Sequence, residues 1–392
     1  MSGPLAGFKI VDVCTFITGP YATMILGDQG ADVTKVEPMG TGDRFRYGGN
    51  YSGGMAAHFV NGNRSKRSIA LDLKQPEGLE IVEELVRGAD VFIQNFRPGT
   101  AERMGLGEAR LRELRPDLIY ASISGFGEKG PFAESRVYDP LIQAMGGVMG
   151  LQGRGGPPEP MRTILPDKLT SVTAAQAVTA ALLSRERTGK GQHVRLSMLA
   201  AIVAWMWPDA GLLTWPDGGD ADASPISSIL QLCYETRDGH IAVLVVSDDE
   251  WEGLCRGFGC LDWLEDERFR SVDGRLANSE VLDEMMSIEL KRETTDTWVE
   301  RLQGEQVPAA PVLTMEQMVD HPQVRASEIL VETQHPHAGR MRQARNAARF
   351  DGTPAVSERH APKLGEHTDE ILAELGRSAE KIAELRAAGT VQ

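Results

Sequence analysis

One acidic residue and two groups of basic ones stand out by type and spacing. Asp167 follows a proline in the run Leu165-Pro166-Asp167-Lys168-Leu169-Thr170 and precedes a long alanine-rich segment with helical spacing. An aspartate at a helix start reads first as an N-cap. The same position favours an ionised carboxylate, which is also the form needed for a nucleophile. Arg64, Lys66, Arg67 and Lys74 fall within one short stretch, and Arg97 and Arg103 flank an expected strand-to-helix turn. Such groups suit a ligand carrying phosphates, which take Arg and Lys forks and helix N-termini. A solvated charged face is the plainer reading of any such run.

Composition sharpens that choice. The chain has 392 residues and a formal net charge of −15, so a basic cluster is conspicuous on it. The acidity disfavours nucleic acid and anionic membrane as partners. Hydrophobic residues make up 41% of the sequence, with no apolar run long enough for a membrane span and no basic-then-apolar leader, which points to a cytoplasmic protein. Cys14, Cys233, Cys255 and Cys260 are scattered without a CxxC pair, and the eight histidines, His335 and His337 included, lack the context of a third ligand. No metal site is expected from these spacings. Neither a GxGxxG fingerprint after the first strand nor a Walker A loop is present, which argues against nicotinamide and nucleoside-triphosphate chemistry.

The elements that must position these residues alternate. Strands are expected at Phe8–Val13, Ala31–Glu37, Ser68–Leu73, Asp90–Gln94, Leu118–Ile123 and His193–Ser197, with helices from Pro20 to Gly27 and from Pro76 to a stop at Gly88. This is the pattern of parallel strands joined by helices, a Rossmann-like α/β domain. That large domain is expected over 1–200, completed by 330–392. A Trp- and Pro-rich linker covers 201–224, and a smaller α/β domain covers 225–315, with a strand at His240–Val246 and helices at Asp249–Phe258 and Glu280–Gln303. A return linker and a C-terminal amphipathic helix, Glu366–Ala388, fill 316–392.

Several blocks, in this order, resemble the class III CoA-transferases, the family of formyl-CoA and carnitine CoA-transferases. They are Gly19-Pro20-Tyr21-Ala22-Thr23, Gly30-Ala31-Asp32-Val33, Asn63-Arg64-Ser65-Lys66-Arg67, Asn95-Phe96-Arg97-Pro98-Gly99, Ser124-Gly125-Phe126-Gly127, Tyr138-Asp139-Pro140 and Arg187-Thr188-Gly189-Lys190-Gly191-Gln192. The resemblance implies a Rossmann-like domain and an interlocked homodimer. It implies that coenzyme A moves from an acyl-CoA to a small carboxylic acid through an aspartate nucleophile, here Asp167, with coenzyme A a substrate and no tightly bound cofactor. By the same resemblance Phe16 and Ile17 would line the pantetheine, and Leu71 and Lys74 the adenine side. Asn95, Phe96 and Arg97 would form the loop over the diphosphate, with Arg103, Met104, Arg136 and Tyr138 completing the pocket. Amides near Gly146 or Gly147 are candidate oxyanion donors, and Met145 with Met149, read as one helix, a candidate acyl contact.

Departures from the family pattern bear on specificity. Ile17 stands where formyl-CoA transferases resembling this chain carry glutamine, Pro38 follows Glu37 where an arginine often contacts adenine, and Ser224–Tyr234 shows no glycine-rich closing loop. These point away from oxalate and formate. The α-methylacyl-CoA racemases of the same family carry Gly-His-Asp where this chain reads Val137-Tyr138-Asp139. A tyrosine, with an ordinary pKa of about 10, is a poor base at neutral pH. Transferase is therefore favoured over racemase, with a CoA-linked lyase or a non-catalytic CoA binder as further alternatives.

Overall fold

The structure is a computed structural model that describes residues 2–153, 156–218, 233–355 and 359–392. Its contacts divide the chain into two compact units, 1–208 with 331–392, and 209–330. Residues 224–232 of the stretch scanned for a closing loop, and 219–224 of the expected linker, lie outside the described residues.

The first unit is built on six strands: β1 (Lys9–Asp12), β2 (Asp32–Pro38), β3 (Lys66–Leu71), β4 (Val91–Gln94), β5 (Ile119–Ser124) and β6 (His193–Ser197). All pair in parallel, in the order β3-β2-β1-β4-β5-β6. Strands β3 and β4 are buried at every position, as strands covered on both faces must be. Their apolar residues therefore form short continuous runs instead of alternating with polar ones.

The labelled helices are α1 (Thr18–Asp28), α2 (Pro76–Arg87), α3 (Asp139–Met145), α4 (Val148–Gln152), α5 (Leu165–Thr188) and α6 (Met198–Met206). One face of the sheet packs Val11, Val36, Ile69 and Phe92 against Ile81 and Val82 of α2 and Ile371, Leu372 and Leu385 from the chain's end. The other packs Ile10, Val33, Ile93 and Ala121 against Ala22 and Leu26 of α1 and Ala174, Val178 and Leu182 of α5. Alanines along α5 let it approach closely, which is why a 24-residue helix of low amphipathicity still has a buried side. The edge of β3 is met by the chain terminus through an antiparallel bridge, Leu71 to Val391.

Two expected helices are each split in two. Glu366–Ala388 divides into Thr368–Glu374 and Ala379–Ala387, because Gly376 takes φ +85° and Ser378 caps a new start by accepting from the Lys381 amide. Glu280–Gln303 divides into Ser279–Leu290 and Thr295–Gly304, with Thr294 as the second N-cap. Helix α1 opens at Thr18, two residues before the proline expected to start it. Helix α6 occupies the first residues of the expected linker. In the second unit an antiparallel sheet joins Cys233–Glu235, His240–Val243 and Ala309–Pro311, over a core that includes Trp251, Leu254, Phe269 and Trp298.

Candidate active site

Strand order reverses between β1 and β4, and open parallel sheets bind ligands beyond the C-terminal ends of such a strand pair. The loop leaving β1, residues 13–17, is held there one group at a time. Asp12, fully buried, accepts from the Cys14 amide at 2.9 Å, Thr23 Oγ1 at 2.6 Å and Lys66 Nζ at 3.0 Å. Burial pushes its carboxyl up, but the charges of Lys66 and Lys35 and these hydrogen bonds outweigh that and leave it at about 2. Lys35 donates to the Cys14 carbonyl at 2.8 Å and pairs with Asp43 at 3.0 Å. Asp43 Oδ1 in turn accepts from the amides of Phe16 and Phe45.

The Asn95 amide, after β4, clasps Thr15 on both sides. Its oxygen accepts from the Thr15 amide at 2.9 Å and its nitrogen donates to the Thr15 carbonyl at 2.8 Å. This clasp spans the switch point, so the Asn95 side chain is committed to the protein. The grip accounts for Phe16 at φ +64°, a left-handed conformation costly for a residue with a side chain. It also explains Gly19, where a Cβ would lie 2.2 Å from Cys14 Sγ.

These contacts correct the reading of the first basic group. Lys66 is fully buried against Asp12, Arg64 is paired with Asp28 at 2.7 Å, and Arg67 bridges Asp32, Glu370 and Glu374. All three are spent on the fold. Of that group only Lys74 is exposed.

Helix α5 brings Asp167 to the same place. The helix starts at Leu165, with Ile164 as an N-cap that makes no side-chain bond, so Asp167 is its third residue and not a cap. Its Oδ1 accepts a hydrogen bond from Thr18 Oγ1, at the first residue of α1. The Asp167 amide donates to Asp139 Oδ2 at 3.0 Å, and Asp139 Oδ1 accepts from Gln143 Nε2 at 2.6 Å. Ser171 Oγ lies 2.7 Å from both the Thr18 and the Asp167 carbonyls, tying α1 to α5. Burial lifts the Asp167 carboxyl to about 6; the Thr18 hydrogen bond opposes the rise and the neighbouring Asp139 charge adds to it. The helix start therefore does not hold this carboxylate low, as its position alone suggested, because desolvation is the larger effect. A value near 6 still leaves it mostly ionised at neutral pH.

Thr18, Asp139 and Ser171 belong to this site and were not singled out as site residues in the sequence. Asp139 carried a faint signal in the Tyr138-Asp139-Pro140 block, whereas Thr18 and Ser171 are ordinary hydroxyls until the helices are packed. The Gly146 amide donates to the Ile142 carbonyl and closes α3, so it is not an open donor. Gly147, at φ +85°, begins α4. Met145 and Met149 thus lie on separate helices, contrary to the single helix expected, because this glycine pair interrupts the run.

Phe16 and Ile17 lead into Thr18 and Tyr138 into Asp139, so all three adjoin residues bonded to Asp167. Ile17 caps α1 beside Thr18, and the Phe16 and Tyr138 rings meet edge-on at 6.1 Å. Tyr138 is largely exposed, and Arg136 is exposed nearby. A second group forms beyond β4, where Phe96, Arg97 and Arg103 share a depression of about 460 Å³ with Pro98, Thr100 and Glu134. The Arg97 guanidinium has no protein partner among the described residues, and Arg103 donates to Thr100 Oγ1 at 2.9 Å. Met104 and Phe96, both partly buried, pack on the core. Leu71 is fully buried in that core, so its side chain faces no ligand. A further depression of about 480 Å³, lined by Phe96, Tyr120, Ser122 and His193 among others, does not reach Asp167. Among the described residues no cluster of His, Cys, Asp and Glu could hold a metal ion, and no helix is long and apolar enough to cross a membrane.

Residues 5–368 match the family model described as CoA-transferase family III. The human succinyl-CoA:glutarate CoA-transferase is 32% identical over 99% of this chain and 90% of its own length. The acetyl-CoA:oxalate CoA-transferase of Acetobacter aceti is 34% identical over 93% of this chain and 94% of its own. A crystal structure of a CAIB/BAIF family protein from Brucella suis superposes with a TM-score of 0.84 at 32% identity, covering 96% of this chain and 100% of that one. The family match along nearly the whole chain, with relatives above 30% identity over most of its length, means that this protein belongs to CoA-transferase family III.

Proposed function

We propose that the protein transfers coenzyme A from an acyl-CoA to a free carboxylic acid through covalent intermediates on Asp167. One observation carries the reading: a half-buried carboxylate at the switch point, with one oxygen tied to a hydroxyl, no cation paired to it among the described residues, and a pKa that leaves it ionised yet poorly solvated. A carboxylate of this kind is nucleophilic because little water must be stripped from it. Attack on the donor thioester gives a mixed anhydride and free thiolate. The thiolate then takes the aspartyl carbon and releases the donor acid, and the acceptor reverses both steps to leave as a new CoA ester.

The nucleotide end of coenzyme A is assigned to Phe96, Arg97 and Arg103, with Lys74 and Arg136 as further exposed cations and Phe16, Ile17, Met104 and Tyr138 along the arm. A relative named for glutarate supports a short dicarboxylic acid as acceptor class, and the departures at Ile17 and Pro38 favour one other than oxalate. Action as a homodimer is supported by Trp205 and Trp207, each half exposed at the end of α6. A cytoplasmic setting is supported by four free cysteines. The group beside Asp167 is Asp139, whose two oxygens are taken up by the Asp167 amide and by Gln143, so among the described residues no free base accompanies Asp167 where a racemase needs one.

Incubation with acyl-CoA alone, followed by hydroxylamine or borohydride, should mark Asp167. Asp167→Asn should abolish exchange between succinyl-CoA and a panel of free acids. Full activity in that variant would overturn the proposal, and loss of α-deuterium from a 2-methylacyl-CoA without acid exchange would indicate a racemase instead.

A further inference from the structure

The Asp167 carboxylate receives one hydrogen bond from the described residues, from the Thr18 hydroxyl to Oδ1. The donor is closely held. Thr18 is 5% exposed, its carbonyl is held by Ser171 Oγ at 2.7 Å, and the residues before it are pinned by Asn95, Asp43 and Lys35. Turning the carboxylate would break this bond, and the hydroxyl thereby distinguishes the oxygen it holds from the other. Asp167 Oδ2 has no protein donor among the described residues.

We propose that Thr18 is a catalytic residue that divides the work between the two oxygens: Oδ2 attacks, while Oδ1 remains the carbonyl oxygen of every aspartyl intermediate and gathers negative charge against the Thr18 hydroxyl. This rests on the aspartyl reading above and assigns the group that makes Asp167 an electrophile in mid-cycle.

The bonds balance as follows. Oδ2 attacks the donor carbonyl, the carbon–sulfur bond breaks, and coenzyme A leaves as thiolate. The thiolate attacks Cγ of Asp167, placing charge on Oδ1, and collapse breaks the bond from Cγ to Oδ2, so the donor acid departs with that oxygen. The acceptor carboxylate attacks Cγ of the thioester, charge again falls on Oδ1, and the thiolate is expelled. When the thiolate takes the acceptor's acyl carbon, Asp167 regains a carboxylate whose second oxygen came from the acceptor. No proton is consumed. One oxygen is exchanged in each turnover and the one facing Thr18 is kept. A fixed donor at such an oxyanion is worth on the order of 10²–10³ in kcat.

The test follows the oxygens. The whole protein is cycled with succinyl-CoA and oxygen-18-labelled glutarate, or with another pair from the panel that turns over, and the Asp167 peptide is read by mass spectrometry. Over many turnovers the unaltered protein should acquire one labelled oxygen. Thr18→Val should lower kcat on the order of 10²–10³-fold with little change in KM for the acyl-CoA. It should also admit label at both oxygens, and Thr18→Ser should restore both properties. Two labelled oxygens in the unaltered protein, an undiminished kcat in Thr18→Val, or no rescue by serine would overturn the assignment and leave the aspartyl mechanism standing. No label at all despite turnover would remove that mechanism and this inference with it. Should the valine variant not fold, the oxygen count in the unaltered protein and the serine variant decide.

Discussion

Asp12 and Asp167 are both withdrawn from water on the same domain, yet their surroundings drive them apart. Asp12 lies between two buried lysines and accepts from a hydroxyl and a backbone amide, which holds it at about 2. Asp167 meets one hydroxyl and a second carboxylate, and burial lifts it to about 6. Compensation makes the first a structural pin. Its lack makes the second reactive, at a cost to the fold.

The most damaging way to break this comparison is to strip Asp12 of its partner. Lys66→Met leaves a buried charge poorly matched and should cost about 3–5 kcal/mol in urea unfolding. A loss under about 1 kcal/mol would show that the Lys66–Asp12 pair does not pin the fold.

Asp167→Asn should act in the opposite sense. A carboxyl whose pKa rises on folding is more stable folded when protonated, so ionised Asp167 costs stability above its folded pKa, and the cost fades as pH falls toward the unfolded value near 3.8. The variant should gain about 1–2 kcal/mol at neutral pH, discounted because the group is not wholly buried. It should lose turnover, and the share of the fall in thermal midpoint between pH 4 and 7 that comes from Asp167 should be missing from it. In the active protein kcat/KM should drop as pH falls through about 6, where the nucleophile is protonated.

A milder change separates ligand cations from structural ones. Arg97→Ala should leave the urea midpoint unchanged and raise KM for acyl-CoA about tenfold, the size of one charge-assisted phosphate contact. The smallest effect is expected from the neighbour whose charge adds to the rise that burial produces at Asp167. Asp139→Asn should shift the acid limb of the pH profile downward, because a like charge is removed.

Much of the scaffold could be read locally. Buried strands such as Val91–Gln94 announce themselves as short apolar runs, and α2 by Ile81, Val82 and Val86 on one face with Pro76 and Gly88 at its ends. Where a pattern continued across a break the boundary was lost, as at Gly376 and Thr294, since turn geometry there overrides periodicity. Arg64, Lys66 and Arg67 looked like ligand cations because charge spacing says nothing about which acids the sheet will bring opposite them.

The sequence alone therefore determined the alternation of strands and helices, the family likeness and the carboxylate at 167, all of which depend on residues close together along the chain. Only the tertiary structure decided that β1 and β4 would be neighbours, that Lys66 would be sealed against Asp12, and that Thr18 would reach a carboxylate 149 positions away. The physical reason is that burial and long-range pairing set both the charge state and the orientation of a side chain, and neither is a property of its local segment.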